Sequence, residues 1–172
     1  NDSTVTGYKL VKGWGPERHV YFAAEFSRKL DSFQIMQDGK PVVYNTSRFR
    51  SSLEAWGKNL MACISFATEE NEEVTVKVAV SSVSTEGALL NLKELDGMTF
   101  DSLHQKGVGL WEEELSKYSV TADRKTMETF YTSAYHAALH PFLFEDADGR
   151  YRAYDKNIGT SEGYTNLTVF SL

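Results

Sequence analysis

A single cysteine, Cys63, among 172 residues excludes an internal disulfide framework and a thiolate-ligated metal site. One cysteine does not report a redox compartment. No run of about 18 apolar residues exists, so there is no candidate transmembrane helix. Lysine and arginine number 18 against 24 aspartates and glutamates, and they form no cluster. That balance argues against nucleic acid, whose binding needs basic groups that displace counterions. Internal repeats and low-complexity tracts are missing as well. What is present is apolar material for a core, 41% hydrophobic and 13% aromatic residues with a formal charge of −6, which rules out intrinsic disorder. The length suits one ordinary domain or pieces of two, at roughly 100–200 residues per domain.

The ends are unusual for a domain. The chain begins Asn1-Asp2-Ser3 with no Met and no signal peptide, and enters strand-like sequence at Val5. It stops on Leu167-Thr168-Val169-Phe170-Ser171-Leu172, with no helix cap, turn residue or polar tail after it. Domains usually end in loosely held polar residues. The expectation is a segment of a longer polypeptide, for which a missing signal says nothing about export.

The first half reads as strands. Val74, Val76, Val78 and Val80 alternate with Thr75, Lys77, Ala79 and Ser81, the period-two pattern of a sheet with one buried face. Val20 to Phe26 and Lys58 to Phe66 are rich in aromatic and β-branched residues. Gln37-Asp38-Gly39-Lys40-Pro41 supplies a hairpin turn, because Asp-Gly tolerates the positive φ angles that tight turns demand. Short strands at this spacing suggest an antiparallel sandwich. Asn45 to Gly57 reads as a loop or irregular edge.

Near Ser81 the character changes. Ser84 or Thr85 can cap a helix carrying Leu89, Leu92 and Leu95, ended by Asp96-Gly97. Asp101 can cap a second, with Leu103, Leu110, Trp111, Leu115 and Tyr118 on one side; Gly107 and Gly109 each weaken it by about 1 kcal/mol against Ala. In the third, Met127, Phe130, Tyr131, Ala134, Tyr135, Ala138 and Leu139 keep helical spacing, and Pro141 limits the run. Strands followed by helices without a long linker place the end of one domain beside the start of a helical one.

Chemistry-bearing patterns are incomplete wherever they occur. His136 and His140 share a helix face four residues apart, the geometry of zinc proteases, but Ala137 stands where the catalytic Glu would follow. The plainer reading is two histidines hydrogen-bonded in a packed interface. Glu145, Asp146, Asp148 and Asp155 crowd one loop and suggest calcium, yet Asp146-Ala147-Asp148-Gly149 lacks the third oxygen residue and the distal Glu of an EF-hand. Ala147-Asp148-Gly149-Arg150 also reads as a turn joining two short strands. Those carboxylates could form a glycosidase acid/base pair, which requires a separation that sequence does not supply. Trp14, Trp56, Tyr44 and Tyr8 could stack on sugars, or fill cores and interfaces. Ser81 and Ser82 follow a strand without the G-x-S-x-G elbow of a nucleophile. Cys63 reads as a small buried apolar residue. Asn45-Thr46-Ser47 and Asn166-Leu167-Thr168 match glycosylation sequons, a pattern common by chance.

The order of several motifs resembles glycoside hydrolase family 92, calcium-dependent exo-acting α-mannosidases of bacteria. Val20-Tyr21-Phe22-Ala23-Ala24-Glu25-Phe26-Ser27 is similar to the family's sandwich strand, and Val76 through Ala88 to its sandwich-to-helix transition. Trp111-Glu112-Glu113-Glu114-Leu115-Ser116-Lys117 resembles its linker helix. Most specific are Thr129-Phe130-Tyr131-Thr132-Ser133-Ala134-Tyr135-His136, Pro141, Asp146-Ala147-Asp148-Gly149-Arg150-Tyr151-Arg152, and Tyr164 through Leu172.

The resemblance implies an α+β chain: an antiparallel β-sandwich portion of the galactose-mutarotase-like type, followed by helices that begin an α/α toroid. It divides the chain into a sandwich portion at 1–83, a helical linker at 84–120, and the first toroid helix with its loop at 121–172. In the family the Ser-Leu ending precedes Trp-Asp-Thr, and the general acid, the general base and the calcium ligands come later. The resemblance thus implies no catalytic and no metal-binding residue here, calcium only in the parent enzyme, and an inert chain. Asp148, Arg150 and Tyr164 fall on the approach to the sugar-binding helix, as substrate-binding rim residues or as residues that fold the loop. The implied parent is exported, periplasmic or extracellular, and acts on mannose-containing glycans; the isolated chain, with Phe130, Tyr131 and Tyr135 exposed, is expected to self-associate or to pack this third helix onto its own sandwich. The competing reading is a non-catalytic carbohydrate-binding or adhesion sandwich module.

Overall fold

The computed structural model describes residues 2–13, 15–43 and 54–169. Trp14, Tyr44, the first sequon and most of the expected loop at Asn45 to Gly57 lie outside the described residues. Among the described residues six strands come first: β1 (Thr4–Gly13), β2 (Gly15–Phe26), β3 (Ser32–Gln37), β4 (Lys40–Pro41), β5 (Leu60–Ser65) and β6 (Val76–Ser81). Three helices follow, α1 (Thr85–Leu92), α2 (Phe100–Leu115) and α3 (Arg124–Ala138). Four short strands come last: β7 (Phe142–Leu143), β8 (Arg150–Arg152), β9 (Ile158–Thr160) and β10 (Leu167–Thr168). The chain divides into two compact units, Asn1–Val5 with Ala24–Lys77, and Thr6–Ala23 with Val78–Leu172.

The first unit is built on an antiparallel sheet of order β4-β3-β5, with Met36 opposite Pro41 and Ile35 opposite Ala62. The expected hairpin is there: Asp38 and Gly39 take φ of 50° and 76°, the left-handed pair that a two-residue turn between twisted strands requires. Asn59 Nδ2 donates to Asp38 Oδ1 at 2.7 Å and ties the turn to β5's approach. Ile35 is buried, Cys63 only half-buried. Phe26 and Phe66 meet at 5.3 Å between ring centres, and Arg28 pairs with Glu72 at 2.6 Å.

In the second unit Ala23, Ala88 and Leu92 are the buried core, packed by Tyr21, Ala79 and Leu95. The sheet of order β1-β2-β6 contributes its small residues to that core, which lets α1 approach closely. The expected alternation in β6 holds, but with its faces reversed. Val76, Val78 and Val80 are 50%, 55% and 44% exposed, whereas Lys77 and Ala79 are half-buried and Ser81 is buried. Helix α1 packs where alanines leave room, so the branched valine face is the uncovered one.

Helix boundaries follow capping chemistry. Ser84 is the N-cap of α1, accepting from Gly87 N at 3.1 Å. A 3-10 turn at Lys93–Leu95 continues to Gly97 at φ 73°, the expected stop. The cap of α2 is Thr99, not Asp101: Thr99 is extended and forms a reciprocal capping box with Ser102, while Asp101 sits in the first turn, where its charge suits the helix dipole. Asp123 caps α3. Helices α2 and α3 meet through Trp111 on Tyr135 at 4.5 Å, and Tyr118, just past the end of α2, lies on Phe130 at 6.0 Å. Tyr131 Oη donates to the Tyr118 carbonyl at 3.0 Å. Neither helix contains a buried residue.

Candidate functional site

Pro141 stops α3, and the chain beyond it forms a compact loop. β7 pairs antiparallel with β10, with Leu143 opposite Leu167, and Phe144 N donates to Asn166 O at 3.0 Å. Residues 146–150 form the expected turn, closed by Gly149 N to Asp146 O and Asp146 N to Arg150 O, both at 2.8 Å. Gly149 takes φ 78°. The turn leads into β8, whose hairpin partner is β9, with Tyr151 opposite Gly159. The two short strands expected to flank the turn are therefore not each other's partners.

Asp146 anchors this loop to the start of the helical region. It is 5% exposed. Ser81 Oγ donates to its Oδ2 at 2.6 Å, and Asn91 Nδ2 to its Oδ1 at 2.8 Å. Ser81 Oγ in turn accepts from Val83 N at 2.9 Å and Ser84 N at 3.2 Å. Asn91 Oδ1 accepts from Ala147 N at 2.8 Å. A buried carboxylate is tolerated only when hydrogen-bonded, and here the end of β6, helix α1 and the turn all supply or share the partners. Arg152 adds a second tie, donating to the carbonyls of Ser82 at 2.7 Å and Val83 at 2.9 Å. Sequence reasoning missed both. The only signal was the period of β8, which puts Arg150 and Arg152 on one face.

Of the three residues expected at the sugar approach, two are brought together. Arg150 Nε donates to Asp148 Oδ2 at 2.7 Å and its backbone N to Oδ1 at 3.1 Å. Burial pushes the Asp148 carboxyl up, but these bonds and the Arg150 charge outweigh it and hold the group below the ordinary aspartate range. Tyr164 is separate: its hydroxyl meets that of Tyr151 at 3.1 Å, and this bond, then burial, raises its pKa above the usual phenol value.

The other carboxylates of the loop are engaged too. Ser161 Oγ and Asn166 N donate to Glu145 and hold its carboxyl below the ordinary glutamate range. Asp155 accepts from the backbone and side chain of Asn157 at 3.0 and 2.8 Å. Each is thus committed to local structure rather than turned towards a second carboxylate. Among the described residues no three His, Cys, Asp or Glu side chains are gathered to hold a metal ion. His136 and His140 do not share a helix face, because α3 ends at Ala138. Both are exposed, against the packed interface expected, and their rings lie beside Tyr135 and Phe142. Of the candidate stacking aromatics, Trp56 is 72% exposed and Tyr8 lies against Tyr21 at 5.7 Å. Asn166 of the second sequon is half-buried.

Against known families, the glycosyl hydrolase family 92 N-terminal domain matches residues 1–81 and the family's catalytic domain residues 87–172. Among solved structures the chain is similar to the family GH92 alpha-mannosidase BT3965 from Bacteroides thetaiotaomicron, at 71% identity and TM-score 0.91, over 97% of this chain and 23% of that one. The same enzyme in complex with mannoimidazole matches at 71% identity and TM-score 0.92, over 98% and 22%. The family GH92 inverting mannosidase BT2199 from Bacteroides thetaiotaomicron VPI-5482 shares the fold at 19% identity and TM-score 0.75, over 97% and 22%. No curated protein matches the chain. It spans about a quarter of the length of the solved relatives it matches. The fold is the expected α+β arrangement, a sandwich portion followed by helices. With its first half matching the N-terminal domain and its second half the catalytic one, this chain belongs to glycosyl hydrolase family 92.

Proposed function

We propose that these residues are part of an exported bacterial α-mannosidase that removes terminal α-linked mannose from glycans. The observation that carries this reading is 71% identity, over 97% of the chain, to a GH92 alpha-mannosidase whose structure is also known with mannoimidazole. The finer mechanism follows the family resemblance. One carboxylic acid protonates the leaving oxygen, and a second carboxylate activates water on the opposite face with inversion, the two about 6.5–9.5 Å apart. In this reading both groups, and the calcium, belong to the parent enzyme outside these residues. Residues 1–83 serve as sandwich portion, 84–120 as linker, and 121–172 as the first helix and loop of the catalytic toroid.

The contribution of this chain is then positional. The Ser81–Asp146–Asn91 cluster fixes the loop against the sandwich-to-helix corner, and Asp148, Arg150 and Tyr164 form the rim of the glycan pocket. The test is mannose release from an α-mannobiose. The 172-residue chain is expected to release none and the parent enzyme to release it readily; release by the chain alone overturns the assignment of roles. Calorimetric binding of mannosides by the chain without hydrolysis would favour a carbohydrate-binding module instead. In the parent enzyme, Arg150→Ala is expected to lower kcat/KM. An unchanged value with lower stability would remove Arg150 from the rim.

A further inference from the structure

At the centre of β8, Tyr151 stands opposite Gly159 of β9, and its ring crosses the hairpin over that glycine. A methyl built at Gly159 would lie 2.8 Å from Tyr151 Cζ and 2.9 Å from its Oη, well inside van der Waals contact. Gly159 is thus a slot for the ring, needed for its space and not for an unusual backbone angle. The far end of the ring reaches Tyr164, with the two hydroxyls 3.1 Å apart.

The segment that carries Tyr164 is tethered on both sides. Ser161 N donates to Gly149 O at 2.8 Å, and Asn166 N to Glu145 Oε2 at 2.8 Å. Gly163, at φ 74°, turns the chain immediately before Tyr164. The Glu145 oxygen that takes the Asn166 N–H also accepts from Ser161 Oγ, and the Ser161 hydroxyl interacts with that of Tyr164. With its backbone fixed, Tyr164 is still 54% exposed. Water would satisfy a phenol at such a position, so a hydroxyl pair there adds little to stability. Its main consequence is orientation. A hydroxyl donates one bond and accepts others. If Tyr151 donates, Tyr164 keeps its own proton for a sugar oxygen; if Tyr164 donates, it keeps a lone pair for a sugar hydroxyl. Either arrangement suits a carbohydrate, whose hydroxyls have both capacities, and paired hydroxyls polarise one another.

We propose that Tyr151 is a positioning residue for Tyr164: seated over Gly159, it holds the Tyr164 hydroxyl in the direction that meets a hydroxyl of the glycan. This rests on the reading of Tyr164 as part of the glycan rim. A side chain already ordered before binding loses less entropy when the sugar arrives, which is what Tyr151 supplies.

The test is steady-state kinetics of the parent enzyme on an α-mannobiose, with the melting temperature of each variant. Tyr151→Phe keeps the ring over Gly159 and removes only its hydroxyl. It is expected to raise KM about two- to tenfold, the range for one side chain that must be ordered on binding, with the loss falling on KM rather than on kcat. Tyr164→Phe should raise KM at least as far. The double variant should be no worse than Tyr164→Phe alone, because Tyr151 acts only through Tyr164. Gly159→Ala keeps both hydroxyls but pushes the ring out of its slot, and should resemble Tyr151→Phe. A normal KM for Tyr151→Phe beside a raised one for Tyr164→Phe overturns the proposal and leaves the rim standing, as do effects that multiply in the double variant. A lower melting temperature for Tyr151→Phe with KM unchanged would mean that the pair serves the fold, which overturns it equally. An unchanged KM for Tyr164→Phe overturns the rim assignment and this proposal together while mannose release stands. A parent enzyme that releases no mannose overturns the α-mannosidase reading, and this one with it.

Discussion

At Gly87 an added methyl would sit 2.2 Å from Asp146 Oδ2 and 2.7 Å from Ser81 Oγ. Neither oxygen can swing away cheaply, because each is held by the other and by Asn91, Val83 and Ser84. Gly87→Ala is therefore expected to destabilise the chain by about 2–4 kcal/mol, combining overpacking with a broken buried network; a urea titration measures it, and an unchanged midpoint would contradict the cluster's structural role. Glu145 gives a pH signature. Its folded pKa is lowered by the Ser161 hydroxyl and the Asn166 N–H, so its stabilisation is complete above the unfolded glutamate value of about 4.3 and is lost as pH falls through the lower folded value. Melting temperatures of wild type and Glu145→Gln should differ most at neutral pH and converge in acid. A constant gap down to pH about 2.5 would sink this.

Among the elements, α2 has two weak points, Gly107 and Gly109, both inside the helix with no atom within 4 Å of a built Cβ. An alanine at either position loses less backbone entropy on folding and meets no obstacle. Gly107→Ala and Gly109→Ala should each stabilise the chain by about 1 kcal/mol, read from chemical denaturation. Loss of stability would mean that the glycines are kept for close contact with something packed on α2. Helix existence, the Ser84 cap and the Asp38-Gly39 turn were legible because they depend on residues adjacent in sequence. The cap of α2 was misplaced by two residues, since Thr99 and Asp101 are both good caps and only the backbone direction at Thr99 decides between them. The end of α3 before His140 likewise separated two histidines that helical spacing had put on one face.

For the molecule as a whole, exposure is the dominant fact. Helices α2 and α3 bury no residue, and an open groove of about 720 Å3 runs past Val108, Trp111, Leu115 and Tyr131. Phe130 and Tyr135 are each 36% exposed. The chain matches only 22–23% of its solved relatives, in keeping with the reading that these surfaces are covered in a longer enzyme. Contiguous apolar patches of several hundred Å2 drive association, so the isolated chain should run as a dimer or larger species in light-scattering chromatography. A monodisperse monomer at every concentration would contradict this.

Period-two and period-3.6 patterning, turn pairs and caps are local, and the sequence alone determined them: strands to Ser81, three helices beyond, the Asp38-Gly39 hairpin, and a family resemblance carried by motif order. It could not say which face of β6 would be covered. Hydrophobicity marked the valines, but α1 packs on Ala23 and Ala79 because small side chains permit close approach. Nor could spacing show that Ser81 and Asp146, 65 residues apart, share a proton donor and acceptor in the interior, or that Arg152 reaches the Ser82 carbonyl across 70. Those partners are chosen by desolvation: a carboxylate or hydroxyl taken out of water accepts whichever donor the packed backbone brings within 3 Å, and only the tertiary structure decides which that is.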